Sequence, residues 1–184
     1  GGFIPLLSID MLFSARLFGF YLLSITVITG ASSLIGKALA DVFFEYTGDV
    51  IRLKQIMKKT YSYSFISFLI VFVVYFYMEG LVLYFLGDGW QGFHSVSMYI
   101  LLLAYFSFLS NCFDKLPQYF RYEQYTLYFN LLRLIINGSV LALTLMLGFD
   151  FNKYLLIFTV SNILLYLFDV VCVFRIVSKN VLSI

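Results

Sequence analysis

Arg133 and Asp169 are charged side chains set inside apolar runs long enough to cross a lipid bilayer. On translocon scales an ionisable group at the centre of a span costs about 2.5–3.5 kcal/mol, so such groups pair, line a wet cavity or meet a substrate. Asn130 and Asn137 stand three residues before and four after Arg133, on one helical face, and Asn162 and Tyr166 share the face of Asp169. The two charges lie about two helical turns from the same end of neighbouring antiparallel spans. Equal depth predicts an Arg133–Asp169 ion pair within a polar layer, acting either as glue between helices or as a substrate-facing or gating pair.

A second polar face runs along the first complete span, where Thr26, Thr29, Ser33, Lys37 and Asp41 repeat at spacings of three and four. Ser32, Gly36 and Ala40 form a neighbouring stripe of small residues that admits close approach of another helix. Lys37 and Asp41 are four apart and are expected to pair on their own helix. The plainer reading has Lys37 reaching for the membrane interface. The sharper one has this face lining a polar cavity in which Lys37 meets an anionic substrate. Glu79, followed by Gly80, reads as an interfacial carboxylate or as a proton- or ion-coupling group. Asp10 falls in a short opening stretch and is not assigned a role.

Soluble-enzyme chemistry is not legible. GxxxxGK[ST], GxSxG and HExxH are all absent. The single histidine, His94, reads as a solvated loop residue, and a pairing with Asp88 lacks the third group that acid–base catalysis needs. Cys112 and Cys172 form neither a disulfide framework nor a metal-ligand pattern and read as small packing residues. The expectation is therefore a protein that is not an enzyme and uses no metal or cofactor. A net charge of +2 is too small to point to nucleic acid.

Those charges must be positioned by membrane-crossing helices. With 62% hydrophobic and 12% charged residues, a soluble domain of 184 residues cannot hide its apolar surface. A span needs roughly 20 apolar residues, which predicts an all-α, polytopic transmembrane bundle forming a single transmembrane domain. Full spans are expected at about 19–44, 63–86, 95–113, 126–147 and 154–177, with a partial span at 3–13. Continuous rather than alternating apolar runs argue against a membrane barrel. The hydrophilic run 45–60 reads as a loop or a short amphipathic helix. Lysine and arginine alternate between gaps: Arg52, Lys54, Lys58 and Lys59; then none over 87–94; then Lys115 and Arg121; then Lys153 alone; then Arg175 and Lys179. The basic gaps and the C-terminus are expected on the cytoplasmic side, against anionic membrane lipid, with Arg16 as an exception. Trp90 and the tyrosines near span ends, among them Tyr125, read as interfacial anchors. The short opening stretch, with two glycines and no initiator Met, predicts that the chain is part of a longer protein.

Ser33-Leu34-Ile35-Gly36-Lys37-Ala38, followed by Val42-Phe43-Phe44, resembles the "SLIG-x-A…VFF" helix end of bacterial oligosaccharide-lipid flippases, the O-antigen and capsule repeat-unit exporters of the multidrug/oligosaccharidyl-lipid/polysaccharide exporter superfamily. Leu86-Gly87-Asp88-Gly89-Trp90 is similar to the family's "F-G-x-x-W" outer turn, and Asn130-Leu131-Leu132-Arg133-Leu134 to its polar-plus-arginine helix. The family's usual proline is absent between Thr26 and Ser33. The resemblance implies about 12 to 14 helices in two pseudo-symmetric bundles, of which this chain would be part of the second. It implies an undecaprenyl-pyrophosphate-linked oligosaccharide as substrate, the missing N-terminal helix bundle as partner, and the bacterial inner membrane as location. Lys37 and Arg133 would meet the pyrophosphate, with Asp41, Asn130, Asn137 and Asp169 beside the pathway. A cation-coupled multidrug exporter of the same superfamily and, more remotely, a membrane glycan-modifying enzyme are the alternatives.

Overall fold

Side-chain caps are scarce here, Ser14 and Asp49 among them, and apolar length decides most of where the helices run. The computed structural model describes residue 9 and residues 12–181, apart from the side chains of residues 74, 78, 79, 81, 180 and 181. Helix α1 (Ala15–Ser24) continues through a π-turn (Ile25–Thr29) into α2 (Gly30–Glu45). Then come α3 (Val50–Leu86), α4 (Phe93–Asn111), the one-turn α5 (Leu116–Tyr119), α6 (Glu123–Leu147) and α7 (Phe151–Val181). Five helical stretches are long and apolar enough to cross a membrane, which fits a multi-pass membrane protein, and the described residues contain no strand. The expected partial span over 3–13, with Asp10, lies largely outside the described residues.

The π-turn has a local cause. Ile25-Thr26-Val27-Ile28-Thr29 are all β-branched, and each crowds the preceding turn. The Thr26 hydroxyl donates to the Leu22 carbonyl at 2.8 Å and that of Thr29 to the Ile25 carbonyl, so both compete with backbone donors. A single wide turn inside a long helix relieves that crowding.

Helix α3 contains the second span expected at 63–86 and is longer than it. It begins at Val50 rather than near Tyr63, because the hydrophilic run is amphipathic and continuous with the apolar one. Asp49 Oδ1 accepts from the Arg52 amide at 3.0 Å, which caps the start. Val50, Leu53 and Met57 are buried at helical spacing against Phe43, Phe113, Val173 and Val177, while Arg52, Lys58 and Lys59 point outward. At 1.5 Å per residue, 37 residues run for about 55 Å, well beyond a hydrocarbon core of about 30 Å.

Helix α4 is the centre of the bundle, packed on α1, α2 and α7. The stripe expected beside Lys37 does bring helices together. Gly36 and Ala40 are buried, and a Cβ at Gly36 would stand 3.2 Å from Asn111 Cβ and 3.5 Å from the Phe108 ring. Gly36→Leu is expected to lose about 1–3 kcal/mol by prising α2 from α4, read as a lower unfolding midpoint in detergent. Gly19→Leu, where nothing lies within 4 Å, is the control and should leave the midpoint within error.

The loop between α3 and α4 is held more tightly than its sequence implies. Gly87 and Gly92 take φ of 79° and 88°, open to glycine at little cost. Trp90 packs on Phe20 and Phe93 with ring centroids 5.3 and 5.5 Å away, and Arg16 donates to the Gln91 carbonyl at 3.1 Å. His94 is not a solvated loop residue. It is half-buried and stacks on Tyr75 at 4.7 Å, whose hydroxyl donates to the His94 carbonyl at 2.9 Å. Cys112 is buried in the core, and both cysteines are free thiols.

Candidate functional site

Helices α6 and α7 are joined by a three-residue turn in which Gly148, at φ 61°, caps α6 by donating to the Thr144 carbonyl. So tight a turn fixes the antiparallel register. Asn162 Nδ2 donates to Asn137 Oδ1 at 2.9 Å, and both side chains are buried. One turn further from the hinge, four residues along each helix, the Arg133 guanidinium lies over the Tyr166 ring, 5.1 Å from its centroid. The following turn brings Asp169, 5% exposed, to the hydroxyls of Tyr125 on α6 and Ser110 on α4, which donate to Oδ1 at 2.6 Å and Oδ2 at 2.5 Å.

The expected Arg133–Asp169 ion pair is therefore not formed. No described cation stands within 4 Å of Asp169. Tyr166 takes the position opposite Arg133, and Asp169 sits almost a full turn beyond it. The polar layer is real, but its rungs are Asn–Asn, Arg–Tyr and Asp–Tyr–Ser. Arg133 and Asp169 instead face one cavity of about 150 Å³ between α4, α5, α6 and α7, with Asn111, Asp114 and Asn130 also on its wall. That is room for several waters or a phosphate-sized group.

The two charges are in opposite conditions. Asp169 has two hydroxyl donors, and a carboxylate so supplied can stay buried. Arg133 Nε is buried without a hydrogen-bond partner, and so are Tyr21 Oη on α1 and Thr159 Oγ1 on α7. Tyr21 belongs to the core cluster that also holds Tyr154 and Tyr166. A half-buried guanidinium whose Nε–H has no partner is a donor set ready for an anion or for water.

The remaining expected site residues fall elsewhere. Lys37 is exposed on the outer face of α2 and does not pair with Asp41. Asp41 instead pairs with Lys115, across from α2 to the α4–α5 turn. Lys115 reaches Asp41 from the α4–α5 turn of the neighbouring helix end. Thr26, Thr29, Ser33 and Lys37 do not line the cavity that Arg133 and Asp169 share. Both partners of the Asp41–Lys115 pair are well exposed, so Asp41→Asn and Lys115→Gln are each expected to leave the unfolding midpoint within error, as is the double variant. Glu79 lies in α3, but its side chain is outside the described residues. No group of three or more His, Cys, Asp or Glu suited to a metal occurs among the described residues.

Tyr125 and Ser110 escaped the sequence reading as site residues, as did Asn111 and Asp114 on the cavity wall. Tyr125 looked like an interfacial ring, yet Tyr125, Phe129, Arg133 and Asn137 recur every fourth residue and so share a face. Ser110 had no comparable signal. No protein-family model, curated protein or solved structure matches this chain.

Proposed function

We propose that this chain is part of a membrane transporter that carries a lipid-linked oligosaccharide across the bacterial cytoplasmic membrane by alternating access. The observation that carries the reading is the Arg133 guanidinium: within a membrane-spanning stretch, on a polar cavity, and without an ion pair. A pyrophosphate-linked glycan needs cationic contacts inside the membrane and no covalent chemistry. The stretches at 33–44, 86–90 and 130–134 that resemble oligosaccharide-lipid flippases support the same class. On this reading the basic helix ends and the C-terminus face the cytoplasm. A second helix bundle of the same protein would close the cavity, which alone is too small for a glycan. The second reading, a cation-coupled exporter, draws on Asp169, a buried carboxylate beside that cavity.

Complementation of a bacterium lacking its own repeat-unit flippase tests the proposal. The full-length parent should restore surface glycan, Arg133→Ala should abolish it, and Lys37→Ala, exposed on α2, should weaken it only if that face meets the substrate within the complete protein. No restoration by a well-expressed parent across several glycan types would shift the assignment to drug export.

A further inference from the structure

The cavity that Arg133 faces carries more negative charge than positive. Asp114 and Asp169 stand on its wall with Arg133, and no other charged side chain does among the described residues. Lys115, next to Asp114 in the chain, is paired with Asp41 on α2. Two carboxylates and one guanidinium leave the wall with a net charge of −1. Charges on opposite sides of a space of about 150 Å³ lie on the order of 7 Å apart. At an effective dielectric of about 20, each unit pair at that range changes a binding constant by roughly fiftyfold. Asp114 is exposed at the rim, where water screens it, but Asp169 is 5% exposed and keeps its full effect. Asp169 alone therefore cancels the attraction of Arg133 for a bare diphosphate, and Asp114 tips the balance against it.

The same wall suits an anion that brings its own cation. Each oxygen of Asp169 accepts one hydroxyl, from Tyr125 or from Ser110, and keeps a lone pair. Asp114 has no ion-pair partner within 4 Å among the described residues. The Nε–H of Arg133 is unmet, and Asn130 adds an amide on the exposed side of the cavity. Magnesium in phosphate-handling sites is held by one or two carboxylates, with phosphate oxygens and water completing its octahedron. Two carboxylates are too few to hold the ion alone, in keeping with the lack of any group of three His, Cys, Asp or Glu suited to a metal among the described residues. We propose that the cavity takes a diphosphate as its magnesium complex, the ion joining phosphate oxygens to Asp114 and Asp169 and the phosphate lying against Arg133 and Asn130. Neutralised by the ion, the diphosphate is no longer repelled, and both signs of charge on the wall have a partner. This form of the ligand presupposes that the cavity receives the diphosphate of the transported substrate, and adds a metal ion to it.

Calorimetric titration of the full-length parent with inorganic pyrophosphate tests it, once with millimolar MgCl2 and once with EDTA at matched ionic strength. The expected result is binding at least about tenfold tighter with magnesium, and none of MgCl2 given alone. Asp114→Asn/Asp169→Asn should bind bare pyrophosphate more tightly than the unaltered protein does, and should lose the preference for magnesium. A gain of that kind cannot come from misfolding. Arg133→Ala should lose binding in both conditions. Equal affinity with and without magnesium in the unaltered protein would overturn the metal and leave the cavity as a diphosphate site. A magnesium preference that survives in the double asparagine variant would overturn it too. Pyrophosphate that binds in neither condition would remove the diphosphate reading of the cavity itself, and the magnesium with it.

Discussion

Asp169→Ala is expected to lower the unfolding free energy of the reconstituted chain by about 2–4 kcal/mol. The carboxylate receives hydroxyl hydrogen bonds from two other helices, Ser110 on α4 and Tyr125 on α6, so it is the one side chain described that ties α4, α6 and α7 together. Hydrogen bonds to a charged group contribute about 1.5–3 kcal/mol each in soluble proteins. Side-chain hydrogen bonds within membranes average nearer 0.6, because the unfolded helices find other partners. Alanine would also leave the buried Ser110 hydroxyl without this acceptor. Asp169→Asn is the informative companion. The amide keeps one acceptor oxygen, and a hydroxyl can rotate to accept from its nitrogen, so its cost should stay below about 1 kcal/mol. Tyr125→Phe and Ser110→Ala should each lose less than Asp169→Ala. Thermal or detergent-induced unfolding in one micelle type provides the measurement. Equal losses for Asn and Ala would mean that the charge itself is what these helices require, and no loss for Ala would remove Asp169 from the packing argument.

That pattern also explains why the ion pair was expected and is not there. Depth was counted on spans of about 126–147 and 154–177, whereas α7 already begins at Phe151, so Asp169 lies three residues further from the turn than that count places it. Ends fray and extend with the local sequence, whereas the turn at 148–150 is held by the Gly148 cap. Counting outward from that turn places Asn162 near Asn137 and Tyr166 near Arg133, which are the contacts formed. The five spans were legible because apolar length is a property of the chain alone. The join at Val50 was not, since an amphipathic turn and a loop share the composition of residues 45–60 until a neighbour covers Leu53 and Met57. The π-turn had a visible cause in five consecutive β-branched residues. The way α3 lies against α4 had none, because it depends on how two rings on separate helices, Phe68 and Tyr105, stack.

Arg133→Ala should separate function from stability in the opposite direction to Asp169→Ala. Its Nε has no hydrogen-bond partner, and its described contact is the face of Tyr166, worth about 0.5–2 kcal/mol. Alanine removes that contact together with the burden of an idle buried donor, so the unfolding midpoint should barely move. Transport should fall far more. Losing one charge-assisted contact to an anion, about 1.5–3 kcal/mol, corresponds to roughly ten- to 150-fold. Arg133→Lys keeps the charge but not the flat guanidinium that stacks on Tyr166 and presents parallel donors, and it should recover only part of the rate. The measurement is glycan export by the full-length parent, alongside unfolding of the same variants. A large loss of stability with Arg133→Ala would make the arginine a strut between α6 and α7. An unchanged midpoint with lost export would leave the guanidinium as the anion-binding element of this cavity, with Tyr166 holding it in place.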